Sequence, residues 1–521
     1  MTLEELVGQR LVFGLPGTRI RPEDVSLFRE TGAGGLILYR RNFESARQLV
    51  ALIAELEETL GRRLLVATDH EGGRVIMLGE GVTIFPDNLA VGASGEALFA
   101  ERQGRMEARE LRRLGIDVNL APVLDVLTEA PSPNIGIRSY GKDPARVARF
   151  GAARIRGMQG AGLSACGKHF PGKGHSPLDA HWGLPTIPST WDEMRRIHLP
   201  PFLAAIEAGV DLIMTSHPLY PALDPAPRTP ATFSRRIVAD LLRGELGYGG
   251  VIASDDLEMR AIDELCQVGE AALKATEAGH DLLLVCHTAS AQRQVWAALL
   301  EAYREKRLPR GELEASVARI ARLRAKRDRR FEGGEPRAEV GGTPLARAIA
   351  TEAVTLLQPG PADFRKRLNG AAAVIFPRFS RLADRITIEP PLRDERAYLA
   401  AAFGLLGVTP EILLVGIEPA DAEVEEAAGL AARSDVTLLF LFDAHLYPSN
   451  KRLLDRLQAT ASALAVALLR NPYDAVFLKP GVLGVTAYGF RLCQLAAVIA
   501  RLLLPGDSPT GPGPAPGARP G

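Results

Sequence analysis

A recurrence constrains this chain more than any other feature. Over the first 290 residues a short, continuously apolar run is followed by a polar turn and then by a longer helical pattern. The runs are Arg10 to Leu15, Gly34 to Leu38, Leu64 to Thr68, Asp117 to Leu120, Gly162 to Gly167, Asp211 to Thr215, Gly249 to Ala253 and Asp281 to Val285. Most lack the alternation of a strand with one wet face, which is how parallel strands buried on both sides read. Helical patterns such as Ala46 to Leu60 and Ala145 to Gly160 lie between them. Eight strands alternating with helices, in about 250 residues, predict an α/β fold of the (β/α)8 TIM-barrel type. A doubly wound open sheet is the alternative. Eight is the closing number, however, and no glycine-rich nucleotide fingerprint follows the first run.

The chain is too long for that barrel alone. We expect the barrel over residues 1–310 and a linker helix and loop over 311–345, read from the basic pattern Leu308 to Arg330 and the break at Gly333-Gly334-Glu335-Pro336. A second α/β, sandwich-like domain follows over 346–504, with runs Ala371 to Phe376, Ile412 to Ile417, Val436 to Phe442 and Leu464 to Leu469 that predict a mainly parallel open sheet. The Pro- and Gly-rich tail, 505–521, carries too little apolar surface to fold. Lys plus Arg and Asp plus Glu each number 62, so net charge recommends neither nucleic acid nor an anionic membrane as partner. The four cysteines are scattered and read as reduced thiols. The acidic start and the absence of a long apolar run make the cytoplasm the expected location. Oligomeric state is not readable.

Polar residues recur at one place in each barrel unit: Asp69 after strand three, Asp125 beyond strand four, Lys168-His169 at the end of strand five. His217 follows strand six and Asp255-Asp256 ends strand seven. Those carboxyl ends open onto the face where barrel active sites lie. The segment Lys168-His169-Phe170-Pro171-Gly172-Lys173-Gly174-His175, with Asp179 and His181, reads as a glycine-bent loop after the fifth strand. Asp255, fixed by a rigid strand, suits a nucleophile, while Asp256 points the other way and suits a cap on the helix that follows. Asp179 can fix the tautomer of His181 and leave it free to move a proton. Lys168 and His169 suit sugar hydroxyls as donors, Asp69 supplies an acceptor and Arg138 a fork of donors; His217 is a further candidate contact.

The set Thr68-Asp69-His70-Glu71-Gly72-Gly73-Arg74-Val75, Ala121-Pro122-Val123-Leu124-Asp125, Arg138-Ser139-Tyr140, Lys168-His169-Phe170-Pro171-Gly172, Asp179-x-His181 and Ser254-Asp255-Asp256-Leu257-x-Met259 resembles glycoside hydrolase family 3. It is most similar to the two-domain members of the β-N-acetylglucosaminidase branch that trims muropeptides. The resemblance implies Asp255 as nucleophile and Asp179-His181 as acid/base dyad. It also implies that Asp69, Arg138, Lys168 and His169 hold the terminal N-acetylglucosamine, and that the second domain is structural or a lid. Two positions depart from the pattern. Met77 stands where relatives carry a substrate-contacting arginine, and Lys173 where histidine is commoner.

The expected reaction is double displacement with retention, removing terminal β-linked N-acetylglucosamine with no metal or organic cofactor. Because a histidine acid/base does not repel anions, phosphorolysis is a variant, and β-glucosidase activity another. Alternatives of other classes are a non-catalytic sugar-binding protein and a metal-dependent barrel hydrolase with His169, His175, His181 and Asp255 as ligands.

Overall fold

The computed structural model describes residues 1–128, 132–176, 183–326 and 341–504. They form two compact units. The first comprises Met1–Glu71, Val75–Thr83 and Ala97–Gly342; the second comprises Gly72–Arg74, Ile84–Glu96 and the chain from Thr343 onward.

The first unit is an eight-stranded parallel barrel: β1 Leu11–Gly14, β2 Gly35–Leu38, β3 Leu65–Thr68, β4 Val118–Asn119, β5 Ser164–Phe170, β6 Leu212–Thr215, β7 Val251–Ala253 and β8 Leu283–Val285. Neighbours in sequence pair in space, β1 also pairs with β8, and a parallel bridge from Ala253 to Leu282 closes the ring between β7 and β8. Alternate side chains fill the interior, among them Val12, Ile37, Cys166, Leu212, Val251 and Leu284. Their neighbours Phe13, Leu36, Val66, Ile213, Ile252 and Leu283 pack outward against the helices. This double burial is why the strands read as unbroken apolar runs.

The helices start and stop where their chemistry dictates. Ser45 caps Ala46–Leu60 by accepting from the Gln48 N–H, and Gly61 ends it in the left-handed region at φ 66°. Asp143 caps Pro144–Gly160, with proline at the first helical position. The helix expected in the linker spans Arg310–Ala325 and belongs to the barrel unit, because Ile320 and Leu323 join the interior cluster. The barrel unit therefore runs past 310 through this helix, and the second unit is discontinuous in sequence.

That second unit contains a six-stranded sheet, β9 Thr355–Gln358, β10 Ala372–Pro377, β11 Glu411–Val415, β12 Val436–Leu441, β13 Leu464–Leu468 and β14 Leu483–Thr486, in the order β11-β10-β12-β13-β14-β9. It is parallel except for β9, which runs antiparallel to β14 at the edge. Among the described residues no helix is long and apolar enough to cross a membrane. All four cysteines are free thiols.

Candidate active site

The turn after β3 carries Asp69, His70 and Glu71, and the barrel grips its backbone. Asn119 of β4 accepts from the His70 N–H at 3.0 Å and donates to the His70 carbonyl at 2.8 Å. Arg154, on the helix Pro144–Gly160, donates to the Glu71 carbonyl at 2.7 Å. The same guanidinium pairs with Glu107 at 2.8 and 3.1 Å, and both side chains are buried.

The Glu71 side chain is the hub of the rim. Arg138 donates to it from Nε and Nη2 at 2.8 and 2.7 Å. Lys168 Nζ lies 2.7 Å from Glu71 Oε1 and also pairs with Asp69. Burial opposes a charge on Glu71, but the two cations outweigh it and hold the carboxyl far below the ordinary range. Arg138 thus commits its fork to Glu71, and its Nη1 to Asn134 at 2.6 Å. Asp69, 18% exposed against 2% for Glu71, keeps part of its carboxylate at the surface of the mouth as an acceptor.

Strand β5 runs on through Phe170, so Lys168 and His169 sit within the strand rather than on a loop after it. The Lys168–His169 peptide bond is cis. His169 Nδ1 lies 2.7 Å from Asp125 Oδ2, and the Lys173 N–H donates to Asp125 Oδ1 at 2.7 Å. Burial raises Asp125 to about 6 against the opposing pull of Lys173, so above that pH it is an anion that takes the Nδ1 proton. Burial, then Lys173, Arg138 and Lys168, push His169 well below its usual value. His169 is therefore neutral, and its Nε2 is an acceptor; the expected pair of donors becomes one donor, Lys168, and one acceptor.

Asp255 follows β7. The Asp256 N–H donates to its Oδ1 at 2.9 Å, and Lys173 Nζ stands 4.0 Å from its Oδ2. Burial alone would raise this carboxyl, but Lys173, that N–H and Lys168 outweigh it and leave it below the usual value. It is an anion at neutral pH. Asp256 is not a helix cap. Its Oδ1 accepts the N–H groups of Glu258 and Cys286, each at 3.2 Å, and its Oδ2 lies 3.0 Å from His287 Nε2, tying the end of β7 to that of β8.

His217, which follows β6, is buried. Its Nδ1 lies 2.7 Å from the Thr232 hydroxyl and its Nε2 donates to the Asp256 carbonyl at 2.9 Å. Burial favours the neutral ring. Both of its nitrogens are engaged by protein groups, one of them in the Asp255-Asp256 turn. Asp179 and His181 lie outside the described residues. Among those described, no three His, Cys, Asp or Glu side chains are grouped to hold a metal ion.

Glu71, Asn119, Arg154 and Glu107 were not legible as site residues. A usable signal existed for Arg154: it falls on the buried stripe of its helix with Val147, Phe150, Gly151 and Met158. An arginine on such a stripe must have a buried acceptor.

Glu71 and Asp255, buried carboxylates kept ionic by fixed cations, thus gather with Lys168 and His169 at the carboxyl end of a (β/α)8 barrel, the face where the active sites of barrel enzymes lie. The Glycosyl hydrolase family 3 N terminal domain matches residues 2–323. The chain belongs to glycoside hydrolase family 3 and is a glycoside hydrolase. It is 39% identical over 293 residues to a β-hexosaminidase of Pseudomonas aeruginosa, covering 56% of this chain and 86% of the relative. Its structure is similar to that of a family 3 β-N-acetylglucosaminidase from Paenibacillus, at 34% identity and TM-score 0.89, with 96% of each chain covered. A β-N-acetylhexosaminidase from Beutenbergia cavernae, 30% identical with TM-score 0.57, aligns over 63% of this chain and 98% of its own.

Proposed function

We propose that this chain is a retaining exo-β-N-acetylglucosaminidase acting on a small carbohydrate, with cytoplasmic muropeptides as its natural substrates and neither nucleic acid nor membrane as partner. The observation that carries the reading is Asp255, a carboxylate kept ionic at the end of β7 beside the Asp69–Lys168–Glu71–Arg138 network. Asp255 bonds to the anomeric carbon as the glycosidic bond breaks, and the leaving oxygen takes the proton of His181, which Asp179 orients. Water then gives a proton to His181 and its oxygen displaces Asp255, releasing the sugar with its configuration retained. Asp69 and His169 accept from the sugar hydroxyls, and Lys168 donates.

The names of the relatives support the acetamido sugar. The first test is hydrolysis of p-nitrophenyl β-N-acetylglucosaminide beside the β-glucoside, for wild type and Asp255→Ala. The expected result is turnover of the acetamido substrate, reduced at least about a thousandfold in the variant. No turnover in wild type, or full activity in the variant, rejects the reading. One observation favours a second reading, β-glucosidase: Met77, where the family resemblance implies a substrate-contacting arginine, packs against the barrel core, and preference for the glucoside would establish it. Sugar 1-phosphate formed in millimolar phosphate would identify phosphorolysis.

A further inference from the structure

We propose that Lys173 is the charge partner of the nucleophile, placed to favour the second half of the double displacement; this rests on the functional reading above. Its ammonium stands 4.0 Å from Asp255 Oδ2 with 5% of the side chain exposed. The backbone around it is fixed. The Lys173 N–H is bound to Asp125, and glycines flank it on both sides. Gly172, at φ 114°, lies against the His198 ring, and a Cβ on Gly174 would come within 1.8 Å of the Val126 carbonyl oxygen. The sequence therefore brings an ammonium to the nucleophile on a strap that only glycine can form.

Among the described residues, the other charged or titratable groups that act on Asp255 or feel its charge include His217, Lys168, Asp69 and the buried thiol of Cys166, with Asp256 beside it in the chain. His217 is neutral, and Lys168 is bound to Asp69 and Glu71. Lys173 is accordingly the cation that acts most on Asp255.

The two halves of the reaction make opposite demands on that charge. In the first, an Asp255 oxygen bonds to the anomeric carbon, the glycosidic electron pair leaves on the departing oxygen with a proton from the acid, and the carboxylate becomes a neutral ester. In the second, water oxygen bonds to the same carbon, the ester C–O bond breaks, its pair returns to the carboxylate, and the proton of water passes to the base. A fixed cation beside Asp255 stabilises the free carboxylate, so it makes a weaker nucleophile and a better leaving group. With Lys173 in place the glycosyl-enzyme does not accumulate.

The test compares wild type, Lys173→Met and Lys173→Arg by rapid-quench turnover of the aryl N-acetylglucosaminide. It also uses 13C NMR titration of carboxyl-labelled aspartate, with Asp255 assigned from its absence in Asp255→Asn. In Lys173→Met we expect a burst of one p-nitrophenol per site, kcat reduced about tenfold and Asp255 titrating about one pH unit higher. Lys173→Arg should keep wild-type behaviour. If the methionine variant does not fold, Lys173→Gln is read in the same two ways. An unmoved Asp255 titration, or unchanged kcat without a burst, overturns the inference while wild-type turnover leaves the functional reading standing. If wild type turns over neither glycoside, that reading fails, and the NMR titration alone decides whether Lys173 sets the charge on Asp255.

Discussion

At Asp125 one proton decides whether His169 presents Nε2 as an acceptor or as a donor. Ionised, it takes the Nδ1 proton of His169 and leaves Nε2 as an acceptor. As pH falls through about 6 the carboxyl gains a proton. It then donates to Nδ1, and the imidazole proton moves to Nε2, where it opposes a hydroxyl donor. KM is therefore expected to rise below pH 6. Asp125→Asn fixes the inverted arrangement, since its amide nitrogen donates to Nδ1 while its oxygen still accepts from Lys173. That variant should show KM raised about tenfold at pH 7 and flat down to pH 5, checked by steady-state kinetics across that range.

At the scale of elements, the turn after β3 is held by partners on β4 and on the helix Pro144–Gly160. The Arg154–Glu107 pair is buried, so Arg154→Met should destabilise the barrel by about 3–5 kcal/mol by leaving Glu107 without its cation. Replacing both, Arg154→Met with Glu107→Leu, should recover most of that loss, as urea unfolding would show. The same elements mark how far the sequence could be read. All eight barrel strands were legible because burial on both faces makes an unbroken apolar run, and Ala46–Leu60 because its caps lie in the sequence. β9 was missed because it is a half-exposed edge strand that follows a helix directly. β14, with glycine in its middle, carries too weak a strand signature. At the site, residue types told which groups carry charge. They did not tell which groups hold each other. The Arg138–Glu71 and His217–Asp256 contacts join segments that follow different strands, and no spacing along the chain encodes them.

For the whole molecule, acid stability has a buried source outside the mouth. His280, in the turn that precedes β8, donates from Nδ1 to the Ala275 carbonyl and receives the Thr215 hydroxyl at Nε2, each at 2.8 Å. Burial lowers it from 6.5 to about 4. Between those values the unfolded chain binds the proton and the folded one does not. The stabilisation is complete above 6.5 and is lost as pH falls toward 4, by up to about 3 kcal/mol. His280→Gln should flatten that part of the pH dependence, measured as unfolding free energy of the barrel at pH 7 and 4.5.

The second unit has its own claim on the first hundred residues. Gly73 offers its carbonyl to Arg491 Nε at 2.8 Å, and Asp87 receives the Arg74 N–H at 2.6 Å, so early and late segments complete one another. A gene shortened to encode only the barrel would leave Gly72–Arg74 and Ile84–Glu96 as orphans, with glycines and a buried carboxylate shaped for residues no longer made. Minimising this enzyme is thus a matter of rewriting two inner segments as well as moving a stop codon.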